Sequence, residues 1–136
     1  MKEQINPNQI QDLICYRLNR ANETLKEADY NSLGEYYNTA VNRLYYACYY
    51  AASALMLKEG LEASSHKGIK ILLGLNFIKS GKIPIKYGRI YQQLFENRQS
   101  GDYEDFIYCD KELFEALRPQ AEDFVRMITS YINELK

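Results

Sequence analysis

Apolar side chains recur at steps of three and four residues along almost the whole chain, and no stretch sustains a period-two alternation with β-branched enrichment. Such a chain buries one stripe per helix and has no strands for a sheet, so the expected fold is all-α. A first helix is predicted from about Asn8 to Asp29, with Pro7 near its start and the stripe Ile10, Leu13, Ile14, Leu18, Ala21, Leu25 and Ala28. A second spans about Leu33 to Lys58, with Asn31 or Ser32 as its cap and Glu35 in its first turn. Leu33, Tyr37, Ala40, Leu44, Ala47, Ala51 and Leu55 share one side of it. Asn42, Tyr46, Tyr49 and Ser53 hold the other, with Tyr50 and Met56 at the margins. A helix with so little polar surface is buried on most sides, which makes it the central helix and turns its tyrosine face toward a second subunit.

Gly60 is the expected end of that helix, and Ser64 or Ser65 the start of a third that runs to about Ser80 and closes at Gly81. A fourth covers about Pro84 to Ser100 on the stripe Tyr87, Tyr91, Leu94 and Arg98, with Gly101 just beyond it. The last runs from about Asp110 to Leu135, and Pro119 inside it is expected to kink it or split off its first turns. Short connections between helices favour packing as an antiparallel bundle. At 136 residues the chain suits a single domain over 1–136 and would be cramped as two.

The amino-terminal MKEQINPNQIQDL has no apolar core of a signal peptide, and no stretch approaches the roughly 18 apolar residues of a membrane span. Cys15, Cys48 and Cys109 are odd in number and widely spaced, so they read as reduced core or near-core thiols of a cytoplasmic protein. The net charge of −1 conceals a segregation: residues 63–95 carry six basic side chains and no acidic one, while residues 96–123 carry three basic and nine acidic. The first block is either a solvated lysine-rich face or a phosphate-facing patch. Thirteen tyrosines, five phenylalanines and no tryptophan mean that most aromatic rings bring a hydroxyl that needs a partner wherever it is buried.

His66 is the sole histidine, so a mechanism needing two imidazoles in one subunit is excluded, and a histidine-rich metal site with it. No Glu-x-x-His pair or glycine-rich phosphate loop occurs, and neither a cofactor nor a metal is expected. Arg98 ends a buried stripe and needs partners. It either answers the helix dipole beside Asp102 or clamps a phosphate, which guanidinium binds bidentately. Arg43 lies among Tyr46, Ala47 and Tyr50, where it stacks on tyrosine or pairs with a carboxylate of another helix. Arginine among tyrosine hydroxyls also suits RNA, whose bases stack and whose phosphates are clamped.

The string Ala40-Val41-Asn42-Arg43-Leu44-Tyr45-Tyr46-Ala47, then Ser65-His66-Lys67-Gly68, then Arg98-Gln99-Ser100-Gly101-Asp102-Tyr103, in that order and spacing, resembles the HEPN domain (higher eukaryotes and prokaryotes nucleotide-binding) over about residues 8–135, especially its small prokaryotic stand-alone branch. The resemblance implies an antiparallel up-down bundle of four to five helices, a homodimer and a minimal nucleotidyltransferase as partner in a toxin–antitoxin pair. Many members are metal-independent ribonucleases whose motif is an arginine followed four to six residues later by histidine. Carried over, Arg98 is the motif arginine on the scissile phosphate, and Asn42 or Arg43 is the polar contribution of helix two. The motif histidine is absent, since Gln99 to Glu104 follow Arg98, and Tyr103 stands in its place.

Three readings follow from this. The first is a HEPN subunit that binds its partner enzyme, and RNA or nucleotide, through Arg98, Asn42, Arg43, Tyr46, Lys67 and the basic 63–95 surface. The second is a metal-independent ribonuclease using Arg98 with Asp102, Tyr103 or His66 as the proton-transfer group. The third makes Tyr103 or a neighbouring tyrosine the acceptor of nucleotidyl transfer by the partner. The tyrosines between Tyr36 and Tyr50, with Tyr87, Tyr91 and Tyr103, are expected to form a hydroxyl-bearing seam between helices or subunits.

Overall fold

In the computed structural model, which describes residues 6–98 and 108–135, five helices follow one another and no strand occurs among the described residues. Helix α1 (Pro7–Leu33) begins at a capping box: Asn6 accepts from the Gln9 backbone N–H, and the Gln9 side chain accepts from that of Asn6. It runs a turn beyond the predicted Asp29. Asn31 and Ser32 do not cap the next helix; their side chains donate inward to the carbonyls of Glu27 and Asp29. The chain then turns sharply, with the Tyr36 N–H on the Asn31 carbonyl at 3.0 Å. Glu35 therefore sits in the turn rather than in a helix, at a left-handed φ of 65°. Since that region costs an L-residue roughly 1–2 kcal/mol, Glu35→Gly is expected to raise stability by about 0.5–1 kcal/mol after glycine's own entropy cost. A lower urea midpoint would mean that the glutamate side chain offsets the strain.

Helix α2 (Tyr37–Lys58) starts four residues later than predicted and ends before Gly60, whose φ of 68° breaks the helix. Helix α3 (His66–Leu73) is capped by Ser65, whose hydroxyl accepts from the Gly68 N–H. It continues into a π-turn over Gly74–Ile78, which the helical periodicity did not distinguish, with the Lys79 N–H on the Gly74 carbonyl at 2.8 Å. The widened turn seats Phe77 in the core, edge-on to Tyr131. Helix α4 (Ile85–Asn97) follows Pro84 and stops short of the predicted Ser100, because Arg98 is already extended. The expected closing Gly101 lies outside the described residues. Helix α5 (Lys111–Glu134) is capped by Asp110 and passes through Pro119 without splitting; Pro119 is exposed.

The helices form an up-down bundle around α2, which touches α1, α3, α4 and α5. Its alanines at 40, 47, 51 and 54 are fully buried, as are Ala21 and Ala28 of α1 and Ala121 of α5. Small residues at these crossings let the helix axes approach closely. Arg118 of α5 grips Asp29 of α1 bidentately at 2.7 and 2.9 Å and also holds Glu122. Asn38 at the start of α2 accepts from the Cys109 N–H at 2.7 Å, which fixes the approach to α5. Cys48 and Cys109 are buried as expected, but Cys15 is exposed, because it lies off the stripe that α1 buries.

Candidate functional site

Aromatic rings of α2 converge on the first residue of α3. Capping by Ser65 fixes where α3 begins, and this turns the His66 ring back onto α2. Its Nδ1 is 2.9 Å from the Tyr45 hydroxyl and its Nε2 3.5 Å from that of Tyr46. Tyr49 lies against the imidazole at 4.4 Å between ring centroids, and Tyr46 meets it edge-on at 5.3 Å. Tyr45 is fully buried, whereas Tyr46, Tyr49 and Tyr50 are half-buried and reach the surface.

Arg98 comes to the same cluster from the end of α4. Its guanidinium lies 4.5 Å from the Phe95 ring centroid and 5.5 Å from that of Tyr45, so His66 and Arg98 flank one buried phenol. The Arg98 Nε is buried and has no hydrogen-bond partner among the described residues. Arg43 realises both of the alternatives open to it: it covers the Tyr46 ring at 4.7 Å and reaches Glu27 of α1 at 3.6 Å, while Asn42 accepts from it at 2.8 Å.

Burial pushes the Tyr45 phenol up to about 12, against smaller downward pulls from Tyr91 and Arg98. Tyr45 is thus a neutral hydroxyl at physiological pH, able to donate or accept. If it accepts from Nδ1–H, Nε2 presents a lone pair; if it donates to Nδ1, Nε2 presents a proton. Either tautomer of His66 is therefore supported, which suits a group that takes up or releases a proton. Tyr91, buried beside Tyr45, is pushed well above the ordinary phenol range, by burial first and then by its Tyr45 neighbour.

Burial, then the charge of Arg98, lowers the His66 pKa from its ordinary 6.5. The neutral ring is favoured in the fold, so below about pH 6.5 the unfolded chain binds a proton that the folded chain resists, and stability falls as pH drops through that range. An NMR titration of the His66 ring is expected to give a midpoint below 6.5 that moves upward in Arg98→Met. A wild-type midpoint at or above 6.5 would mean that the ring is not desolvated, and a midpoint that Arg98→Met leaves in place would remove Arg98 from the environment of the imidazole.

The structure therefore brings together His66, Arg98, Tyr46, Arg43 and Asn42. Lys67 follows His66 and is exposed. Asp102 and Tyr103 lie outside the described residues. The basic block is not wholly free: Lys86 pairs with Asp123 of the acidic block at 3.3 Å, and Lys70 and Lys82 cover Phe95 and Phe77. Sequence reasoning missed Tyr45 and Phe95 as site residues. Tyr45 sits beside Tyr46 in sequence, but only packing against α3 and α4 makes it the shared platform. No group of three His, Cys, Asp or Glu gathers in metal-holding geometry among the described residues, and no described helix is long and apolar enough to cross a membrane.

The sequence model of the HEPN domain matches residues 15–131. A UPF0332 protein of Thermotoga maritima is 36% identical over 129 residues, covering 95% of this chain and 98% of its own. Two Methanocaldococcus jannaschii proteins are also similar: "Putative toxin MJ0605" is 33% identical, covering 85% of each chain, and "Putative toxin MJ0142" is 27% identical, covering 85% of this chain and 78% of its own. The match spans α2, α3 and α4 entire, and with them both Arg98 and the ring cluster around His66, so the chain belongs to the HEPN domain family.

Proposed function

We propose that the protein is the single-domain HEPN subunit of a toxin–antitoxin-type pair, that it acts as a homodimer with a minimal nucleotidyltransferase as partner, and that Arg98 and His66 take an RNA or nucleotide phosphate. The observation that carries the phosphate reading is the convergence of Arg98 and His66 on one face of the bundle through Tyr45, with a buried guanidinium N–H left without a partner among the described residues. A buried cationic donor is costly unless something answers it, and a phosphate oxygen does so with a charge-assisted bond. Tyr46, Arg43 and Asn42 line the approach, and exposed Lys67 extends it toward the basic surface of α3 and α4. Family membership and relatives named as toxins support the paired role.

The test is fluorescence anisotropy of a labelled single-stranded RNA with the purified protein. Binding that weakens steeply with salt is expected, and no binding at low salt would overturn the phosphate reading. A second reading, metal-independent RNA cleavage, is favoured by the contact of His66 with Tyr45. In it the 2′-oxygen attacks phosphorus as His66 Nε2 takes its proton, the bond to the 5′-oxygen breaks while that oxygen takes a proton from water, and a 2′,3′-cyclic phosphate and a 5′-hydroxyl are left; the imidazolium then returns its proton to the hydroxide so formed. Cleavage that persists in chelator and is lost in His66→Asn supports it; intact RNA under those conditions removes it.

A further inference from the structure

Beside the ring cluster, a cavity of about 680 Å³ opens between α1, α2 and the chain that joins α2 to α3. Its volume falls in the roughly 300–1,000 Å³ range of small-molecule sites. The buried side chains of Met56 and Ile69 form its apolar floor, Tyr49 and Tyr50 provide aromatic rings, and Arg17, Glu62 and Ser64 bring polar groups, one cationic, one anionic and one neutral. Tyr49 also lies against His66, so the cavity and the phosphate cluster share a wall. Tyr50 is held by Arg20, whose guanidinium lies 5.3 Å from its ring centroid. Arg17 donates to the Ser53 carbonyl at 3.3 Å, which uses one of the five N–H groups of a guanidinium.

We infer that this cavity is a nucleobase subsite, which receives the base of a nucleotide whose phosphate lies at Arg98 and His66. The inference rests on the phosphate reading for its second half only. A base is an apolar slab with hydrogen-bonding edges. It matches a pocket with an apolar floor, phenol rings for stacking, and guanidinium and hydroxyl groups at hand for edge acceptors. An aliphatic ligand would leave those polar groups without a role, and a bare phosphate would leave the rings and the floor without one.

The test is an amide NMR titration of the whole protein with adenosine, ribose 5-phosphate and 5′-AMP. Adenosine is expected to shift the amides of Ser53, Leu61 and Ala63, and ribose 5-phosphate those around His66 and Arg98, with AMP shifting both sets. Tyr50→Ala is expected to weaken adenosine binding at least about tenfold while Tyr50→Phe preserves it, because the ring and not the hydroxyl stacks. Ser64→Trp, at an exposed position on the rim, is a second variant expected to block the cavity and abolish the adenosine shifts. Adenosine that moves none of these amides, or that binds Tyr50→Ala and Ser64→Trp as tightly as wild type, overturns the subsite even when ribose 5-phosphate still perturbs His66. Adenosine shifts without any response to ribose 5-phosphate support the subsite and instead overturn the phosphate reading.

Discussion

Truncation of Tyr45 to alanine is expected to lower the unfolding free energy by about 3–5 kcal/mol, the range for removing a large aromatic side chain from a well-packed core. The ring is fully buried and lies within 6 Å of Tyr46, Tyr91, Phe95 and His66 by centroid distance, so no single neighbour can close the gap. Domains of this size are stable by only about 5–15 kcal/mol, so the variant would sit near its unfolding threshold at body temperature. Tyr45→Phe keeps the ring and removes only the hydroxyl, for an expected loss of about 0.5–1.5 kcal/mol. Urea unfolding at constant slope measures both. A loss under about 1 kcal/mol for the alanine variant would mean that the ring cluster is looser than its geometry indicates. Tyr45→Phe is also the gentlest way to release His66 Nδ1 without disturbing the bundle.

Replacement of Arg98 by alanine is expected to reduce RNA affinity by tenfold or more and to flatten the salt dependence, while the thermal midpoint changes little. Affinity falls because a charge-assisted contact to phosphate is lost, together with one released counterion. Stability is insensitive because the guanidinium contributes stacking on Phe95 and Tyr45 but carries a buried Nε with no partner among the described residues, and these effects oppose each other. Arg98→Lys should recover only part of the affinity, since an ammonium has the charge but not the planar fork. Anisotropy at two salt concentrations reads all three proteins, and equal affinity of Arg98→Ala and wild type would remove Arg98 from the phosphate site.

The all-α fold and the central place of α2 were legible in the chain, because a helix apolar or aromatic nearly all round has only one place to go. Ser65 and Gly60 marked their boundaries through local chemistry. Asn31 and Ser32 misled, since their side chains can serve the helix that precedes them as readily as the one that follows. The π-turn at Gly74–Ile78 leaves no trace in the spacing of apolar residues, because one extra residue shifts the stripe by less than the width of the buried face. At the candidate site, residue type drew attention to Arg98, Arg43, Tyr46 and His66, which the fold gathers around neighbouring tyrosine rings. That His66 and Arg98 meet on Tyr45 depends on how α3 and α4 dock on α2, and no local pattern encodes that docking. Arg43 shows the opposite case, where two partners inferred from neighbouring residues are both present.

Cys48 gives the bundle a built-in clock. Its thiol is sealed where α2 meets α5, within 3.7 Å of the Ala121 carbonyl, and burial raises its pKa so far that the reactive thiolate is essentially absent from the folded state. Cys15, by contrast, is open to reagent at all times. In a chain with Cys15 and Cys109 changed to serine, a thiol reagent would react only when α5 lifts from α2. The labelling rate would then time excursions out of the native bundle, and its change on adding RNA or a partner would report whether that ligand holds the seam shut.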